Sequence, residues 1–346
     1  MSTKIHVLKI LEENKGCTIS GEEIANQLQI SRAAIWKAIQ ELRKEGYTIN
    51  AITNKGYCLS LGNNVLSVQG ILPYLNCQNS VDRIHVYKTL ESTNLTAKKM
   101  ALDGAVPGTV VIAETQTKGR GRMGRSFFSP ADSGIYMSMI LRPSVNLAKS
   151  VLITTAASVA VCKSIEKVTG ISCQIKWVND IYMNDKKVCG ILTEAVTDFE
   201  TGHIEYIILG IGINFNTAKA DFPNELANKA GSLFQEASIK TTTTTKGLHP
   251  DMISRNQLIA EIINHVLEMN ETLESRDFLA DYKGRSLVLG KEIRIIQSGA
   301  SEVDHNHDMA PEATAIDIDS DGGLVVQYKD GTIATLNSGE ISIRVK

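Results

Sequence analysis

The apolar residues of this chain change their period twice, and that limits the folds open to it more than any single motif does. Over residues 1–46 they recur at helical spacing. From about Val81 to Glu274 helical and alternating stretches are mixed, and from about Gly284 onward the pattern is alternating only. Three periodicities predict three structural units, and 346 residues at roughly 150 per domain allow two or three.

The first unit reads as helix, short turn, helix, hairpin. Ile5, Leu8 and Leu11 form one helical stripe; Ser20 and Glu23 make an S-x-x-E capping box that opens a second helix, with Ile24, Ala25 and Leu28 inward. Ser31 caps a third helix whose apolar face is Ala34, Ile35, Ala38, Ile39 and Leu42, and Gly46 stops it. Tyr47 to Ile52 and Tyr57 to Leu61 alternate as strands about Thr53-Asn54-Lys55-Gly56. This is the plan of a winged helix-turn-helix, spanning Gly21 to Gln40 in its helix-turn-helix part, in which the helix after the turn enters the major groove. Ser31, Arg32, Trp36, Lys37 and Gln40 on that helix and Lys55 at the wing tip are the candidates for DNA contact. Residues 1–62 hold eight Lys or Arg against six Glu, a net of +2. So modest a charge implies that two copies act together on two half-sites. A protein-interaction winged helix is the alternative.

The middle unit offers strands at Arg83 to Lys88, Thr109 to Glu114, Gly134 to Leu141, Cys173 to Trp177, Val188 to Ala195 and Ile204 to Asn214, with a long helix from about Leu147 to Thr169. Strands outnumber helices without strict alternation, which predicts an α+β sheet rather than a doubly wound one. The last unit offers Leu287 to Gly290, Glu292 to Ile296, Ala315 to Ile318, Leu324 to Tyr328, Thr332 to Asn337 and Ile341 to Val345, short strands that predict a small barrel. The expected boundaries are 1–65, 66–283 and 284–346. Residues 63–80 read as a linker or connecting helix, and the five-threonine run within 241–250 and the polar stretch 298–314, with His305 and His307, read as inserted, mobile loops.

Composition excludes several classes. No apolar run approaches the ~18 residues of a membrane span, since the most hydrophobic stretch, Val151 to Cys162, is broken by Thr154, Thr155 and Ser158. Lys4, Lys9, Glu12 and Glu13 interrupt the first twenty residues, so no cleavable signal is expected and the protein is expected in the cytoplasm. Six cysteines without a C-x-x-C pair predict reduced thiols rather than a disulfide framework or zinc site. A net charge of −2 confines any nucleic-acid binding to a local patch.

Two motifs mislead. Asp317-x-Asp319-x-Asp321-Gly322 opens like an EF-hand, but Tyr328 stands where a bidentate Glu is required and the flanks are strands, so a hairpin turn is expected. Gly119-x-Gly121-x-x-Gly124 follows a strand as a dinucleotide fingerprint would, yet Pro130 and Gly134 leave no room for a crossover helix. Read whole, Gln116-Thr117-Lys118-Gly119-Arg120-Gly121-Arg122-Met123-Gly124-Arg125-Ser126-Phe127-Phe128-Ser129-Pro130 interleaves three arginines and a lysine with three glycines. That describes a flexible loop whose amides and guanidiniums converge on a carboxylate or polyphosphate. A solvated basic loop or an RNA-binding segment is the alternative.

Four further segments carry polar groups at element ends: Glu91-Ser92-Thr93-Asn94, Lys176-Trp177-Val178-Asn179-Asp180, Lys187-Val188-Cys189-Gly190-Ile191-Leu192 and Leu209-Gly210-Ile211-Gly212-Ile213-Asn214. In this order, with the arginine loop, they resemble the biotin–protein ligases. With the winged helix they are similar to the bifunctional biotin ligases and biotin-operon repressors of bacteria. The resemblance covers essentially the whole chain and departs at Val178, where many members have proline, and at the two insertions. It implies a central α+β biotin-ligase catalytic domain and a C-terminal SH3-like β-barrel.

The resemblance implies a two-step reaction. Biotin carboxylate attacks the α-phosphorus of ATP to give biotinyl-5′-AMP and pyrophosphate, and a carrier lysine then attacks the mixed anhydride and releases AMP. It assigns Ser92, Thr93, Asn94, Gln116, Gly190 and Ile191 to biotin, and folds Arg120, Gly121 and Arg122 over the intermediate. Lys187 is assigned to the developing charge, Asp180 is taken as the orienter of Lys187 or of the acceptor lysine, and Asn179 and Asn214 are assigned to the nucleotide. Phe127 is chosen for adenine stacking, with Phe128 the alternative. Glu340 and Arg344 are candidates for reaching back from the barrel, or are surface residues. Mg2+ accompanies ATP, with protein ligands unknown. The implied partners are a biotin carboxyl carrier protein of acetyl-CoA carboxylase or pyruvate carboxylase, operator DNA, and a second copy joined on adenylate binding across a sheet edge such as Thr193 to Phe199; no membrane is implied. A lipoate-type ligase and a transcription factor that only senses ligand are the rival readings. The arginine-glycine loop with Ser-Thr-Asn favours biotin over lipoate, and Lys187 favours an enzyme.

Overall fold

The computed structural model describes residues 2–76, 82–142, 150–197, 204–234, 253–296, 311–337 and 340–343. Cys77, residues 241–250 and 298–310, Asp198, Phe199 and Arg344 therefore lie outside the described residues.

The N-terminal unit is three helices, α1 (Thr3–Glu13), α2 (Gly21–Leu28) and α3 (Arg32–Lys44), and a hairpin of β1 (Ile49–Ile52) with β2 (Gly56–Leu59). Ser20 Oγ accepts the Glu23 amide at 3.0 Å and Ser31 Oγ accepts the Ala34 amide at 3.2 Å, so both expected caps form. Leu8, Leu11, Ile24, Ile35, Ile39 and Leu42 close a core of their own with Leu59 from the hairpin. Arg32, Trp36, Lys37 and Lys55 are left exposed and Gln40 half-buried, all on the helix and wing tip.

This unit is tied to the rest through residues 63–71. Lys15 donates to the Asn63 carbonyl at 2.8 Å and faces Glu12 at 3.7 Å, both side chains nearly enclosed. Burial pushes the Glu12 carboxyl up and the Lys15 amine down, each partly offset by the other. The short helix α4 (Val68–Ile71) follows, and Asn256 accepts from the Ser67 amide at 3.2 Å while donating to the Val65 carbonyl at 2.9 Å.

The central unit runs β3 (Ile84–Leu90), α5 (Thr93–Leu102), β4 (Val110–Gln116), β5 (Gly134–Leu141), α6 (Ser150–Thr169), β6 (Gln174–Lys176), β7 (Asp180–Met183), β8 (Lys186–Thr197), β9 (Ile204–Asn214), α7 (Arg255–Glu271) and α8 (Phe278–Gly284). Its seven strands lie in the order β3-β4-β5-β9-β8-β7-β6, and only β3 and β4 are parallel, joined through α5. The expected α+β sheet is present, with β7, α7 and α8 added to the elements read from sequence. The period of two divides β5 and β9 cleanly. Ile135, Met137, Met139, Ile207, Leu209, Ile211 and Ile213 enter the large core shared with α6 and α7. On the other face α5 covers only one end, where Ala97, Ala101, Ile140, Tyr206 and Ile208 form a small cluster. The uncovered length of that face, from Gly210 to Asn214, is where polar side chains gather.

The C-terminal unit is an antiparallel sheet of β10 (Glu292–Ile296), β11 (Glu312–Ile318), β12 (Leu324–Tyr328), β13 (Ile333–Leu336) and β14 (Glu340–Ile343), in the order β13-β12-β11-β10-β14. Among the described residues it is open, since β13 and β14 do not pair. Two sequence expectations are corrected. Leu287 to Gly290 is a turn, because Ser286 Oγ accepts the Val288 and Leu289 amides and Gly290 takes φ +77°. Glu312 to Thr314 belong to β11, paired to β12 and β10, rather than to an inserted loop. The Asp319-to-Gly323 segment is the β11–β12 turn, with Asp319 Oδ1 accepting the Asp321 and Gly323 amides at 2.9 and 2.8 Å. That turn docks on the central unit, where Trp177 Nε1 donates to the Gly322 carbonyl at 3.0 Å.

Candidate active site

The floor of the site is set by register. Tyr136 of β5, Gly212 of β9, Gly190 of β8 and Asp180 of β7 are successive cross-strand partners, and Ser138 and Gly210 form the next row. Glycine here permits close approach. A methyl group on Gly210 would lie 2.1 Å from Asn94 Oδ1, and one on Gly212 would lie 2.6 Å from the Phe127 ring. The trough thus has Asn94 over one row and Phe127 over the other, its ring edge-on to Tyr136 at 6.3 Å between centroids.

At the Asn94 end the side chains of α5, β4 and β5 are neutral and interlocked, with one carboxylate, Glu194, at their edge. Ser92, Thr93 and Asn94 open α5 and are each at most 4 % exposed. Gln116 Oε1 accepts the Thr93 amide at 2.8 Å and the Thr93 hydroxyl at 3.1 Å, while its Nε2 donates to Ser129 Oγ at 3.0 Å. Ser138 Oγ donates to Asn94 Oδ1 at 2.6 Å and lies 2.8 Å from Thr93 Oγ1. Asn94 Nδ2 donates to Glu194 at 2.7 Å. Such a network suits a small, neutral, hydrogen-bonding ring.

The other end is cationic. Lys187 Nζ lies 2.6 Å from Asp180 Oδ1, and both side chains keep partial access to solvent. Lys187 Nζ is also within 3.3 Å of where a Gly190 methyl would sit. Arg122 donates to Asn179 Oδ1 at 3.1 Å, and Asn179 is itself held by exchange with Ile191, its Nδ2 donating to the Ile191 carbonyl at 2.8 Å. Behind this strand end the Trp177–Val178 peptide is cis, and the Tyr282 hydroxyl donates to the Val178 carbonyl at 3.2 Å. Asn214 donates to the Gly231 carbonyl at 2.9 Å.

Two backbone bonds cross the arginine loop. Phe127 N donates to the Gly119 carbonyl and Gly121 N to the Arg125 carbonyl, so Gly119 to Phe127 returns on itself as a narrow excursion above the trough. Arg120 remains half exposed, with Glu194 3.9 Å away. Phe127 turns into the trough, whereas Phe128 packs on Phe222 at 6.0 Å.

Models of three known families match in succession: an HTH domain over residues 3–58, the biotin/lipoate A/B protein ligase family over 86–214 and the biotin protein ligase C-terminal domain over 306–344. The bifunctional ligase/repressor BirA of Bacillus subtilis is 44% identical over 222 residues, 64% of this chain and 68% of that protein. The chain belongs to the biotin/lipoate A/B protein ligase family. BirA of Escherichia coli is 29% identical over 331 residues, 94% of this chain and 92% of its own. A biotin protein ligase from Aquifex aeolicus, solved in complex with biotin and ATP, superposes with a TM-score of 0.58 at 26% identity, over 76% of this chain and 99% of that one.

For a member of this ligase family, the residues singled out from sequence fall together. Ser92, Thr93, Asn94, Gln116, Arg120, Gly121, Arg122, Phe127, Asn179, Asp180, Lys187, Gly190, Ile191 and Asn214 line or border one trough, with Ile191 presenting its backbone while its side chain faces the opposite core. Glu340 opens β14, and Arg344 lies outside the described residues. Sequence reasoning missed Ser138 and Glu194, and gave Gly210 and Gly212 no role although it singled out their segment. Their signal was parity: the alternation of β9 replaces apolar residues by glycine at 210 and 212 on the face opposite Ile211, and register then selects Ser138 and Glu194. Thr193 to Thr197 run along β8 beyond the stretch that β7 pairs, which ends at Gly190.

Proposed function

We propose that the chain is an ATP-dependent biotin–protein ligase that forms biotinyl-5′-AMP and transfers biotin to a lysine of a biotin carboxyl carrier protein, and that it is also a biotin-responsive repressor. The observation that carries the enzymatic reading is one trough with a hydrogen-bonding end at Thr93, Asn94 and Gln116, where Arg120 rests on Glu194, and a cationic end at Lys187 and Arg122. Biotin is a molecule of that shape, with a ureido ring at one end and a carboxylate at the other.

Ser92, Thr93, Asn94 and Gln116 hold the ureido ring, and Gly190 with the Ile191 backbone lets the valeryl chain lie close to the sheet. Bringing a carboxylate to a triphosphate sets two anions against each other, so the chain must supply positive charge and alignment. Lys187, steered by Asp180, sits where the biotin carboxylate oxygen bonds to the α-phosphorus and stabilises the charge as pyrophosphate leaves. Arg120, Gly121 and Arg122 close over the intermediate; Phe127 stacks on adenine, and Asn179 and Asn214 border the nucleotide. In the second step the amine of a carrier lysine attacks the acyl carbon, the C–O bond to AMP breaks, and the amine's proton is lost. The Mg2+ that accompanies ATP is held largely by phosphate oxygens and water.

Ser31, Arg32, Trp36, Lys37, Gln40 and Lys55 bind operator DNA, as two copies joined along the outer edge of β8 when the adenylate is bound. The exposed helix face and the β8 residues beyond the reach of β7 support this reading. The domains are 1–65, 66–283 and 284–346, the last completing an SH3-like barrel; acetyl-CoA carboxylase and pyruvate carboxylase supply the carrier, in the cytoplasm. No helix among the described residues is long and apolar enough to cross a membrane.

Incubation with ATP, labelled biotin and a carrier domain tests the enzyme: acid-stable label on the carrier is expected, and its absence overturns the reading. Operator fragments titrated with and without biotin plus ATP test the repressor. Tighter binding with both is expected, and unchanged binding overturns that arm.

A further inference from the structure

One group in the trough runs against its chemistry. Glu194 is a carboxylate in a site that, on the reading above, takes anionic substrates. It projects from β8 toward the trough, opposite Ile208 of β9, and is therefore at the end away from Lys187. Its Oε2 accepts Asn94 Nδ2 at 2.7 Å and its Oε1 lies 3.9 Å from Arg120 Nη1. We propose that Glu194 is a positioning residue for biotin recognition: it fixes the direction of the hydrogen-bond chain that reads the ureido ring, and it holds Arg120 at rest.

The argument is one of donors and acceptors. An asparagine amide can present either its oxygen or its nitrogen to a neutral neighbour, but an ionised carboxylate only accepts. Glu194 therefore forces the NH2 of Asn94 toward itself and leaves Oδ1 facing Ser138 Oγ, 2.6 Å away. The single Ser138 proton is committed to that bond. Gln116 is fixed separately: the Thr93 backbone amide, which can only donate, holds its Oε1 at 2.8 Å and leaves its NH2 toward Ser129 and the trough. A carboxylate on β8 thus sets the direction of Asn94 on α5 and, through it, of Ser138 on β5. The same carboxylate gives Arg120 a loose ionic partner, so that Arg120 can exchange it for an incoming anion without passing through an unpaired state.

The inference rests on the ligase reading, and biotin-dependent exchange of label between pyrophosphate and ATP separates the two. If the unaltered protein shows no such exchange, the ligase reading fails and Glu194 is not at issue. With exchange established, Glu194→Ala is expected to raise the KM for biotin about tenfold, the scale of one lost charge-assisted hydrogen bond, with the KM for ATP within about twofold. Glu194→Gln, whose amide oxygen can still accept from Asn94, is expected to restore most of the biotin KM. A general structural defect would move both KM values together and would not be rescued by Gln. A biotin KM unchanged in Glu194→Ala, or an equal rise for ATP, overturns the proposal. Should Glu194→Ala not fold, Glu194→Asp, one methylene too short to reach Asn94, carries the same expectation.

Discussion

Arg255 and Arg120 are the same side chain used in opposite ways. Arg255, at the start of α7, is 2 % exposed. Its Nη1 donates to Glu114 at 2.5 Å and to the Gly134 carbonyl at 3.0 Å, and its Nη2 to the Asn64 carbonyl at 2.7 Å. Asn64 Oδ1 in turn accepts the Arg255 amide at 2.8 Å, so the linker, α7, β4 and β5 meet on one guanidinium. Arg120, on the loop above the trough, has a side chain 49 % exposed and an ionic partner 3.9 Å away. An arginine ringed by short, fixed acceptors holds elements together. One that is half exposed and loosely paired can trade its partner for a ligand.

The largest expected effect lies at the enclosed arginine. Arg255→Met removes the guanidinium that joins Glu114, Gly134 and Asn64, leaving Glu114 only the Asp132 amide, and should lower the unfolding free energy in urea by roughly 3–5 kcal/mol. A loss within the ordinary surface range of about 0.5 kcal/mol would break the contrast with Arg120. Next comes Gly212→Ala, which drives a methyl into Phe127. Overpacking of this kind typically costs about 1–3 kcal/mol, and here it should appear as weaker ATP and biotin binding by calorimetry, with an intact fold by circular dichroism. Unaltered affinities would show that the trough floor is not where the substrates lie.

The smallest effect concerns an arginine between the two extremes. Arg285 is 16 % exposed and donates from both terminal nitrogens to the two oxygens of Glu166 at 2.7 Å. Those bonds hold the Glu166 carboxyl below its ordinary 4.5. A folded value below the unfolded one means that the pair's contribution is complete above pH 4.5 and is lost as pH falls through the lowered value. The stability gap between the native protein and Glu166→Gln should therefore close over that acid range. A gap independent of pH would place Arg285 with the exposed arginines rather than with Arg255.

The sequence exposed some of this and concealed the rest for physical reasons. Local signals carried far: Ser20 and Ser31 name their helices because a cap is chosen by residues two or three positions away. The glycines of the arginine loop betray a backbone that must approach something closely. The fold of the loop was less visible, because its closure depends on Gly119 and Phe127 meeting in space. Ser138 and Glu194 were invisible as site residues, since only the pairing of β5, β9 and β8 brings them to Asn94. Arg255 was hidden for the same reason: its partners lie 141 and 191 positions away, and nothing in its own neighbourhood distinguishes it from a surface arginine. In the C-terminal sheet alternation predicts the pairing of strands but not how they close, and among the described residues β13 and β14 do not pair.

The central claim is that a hydrogen-bonding end and a cationic end of one trough together make an acyl-adenylate, and biotin-dependent exchange of label between pyrophosphate and ATP measures it directly. The account predicts exchange that requires biotin and that falls roughly 10²–10³-fold in Lys187→Met, the scale of losing one charge-stabilising donor, while biotin still binds. Exchange without biotin, or exchange untouched by Lys187→Met, would contradict it.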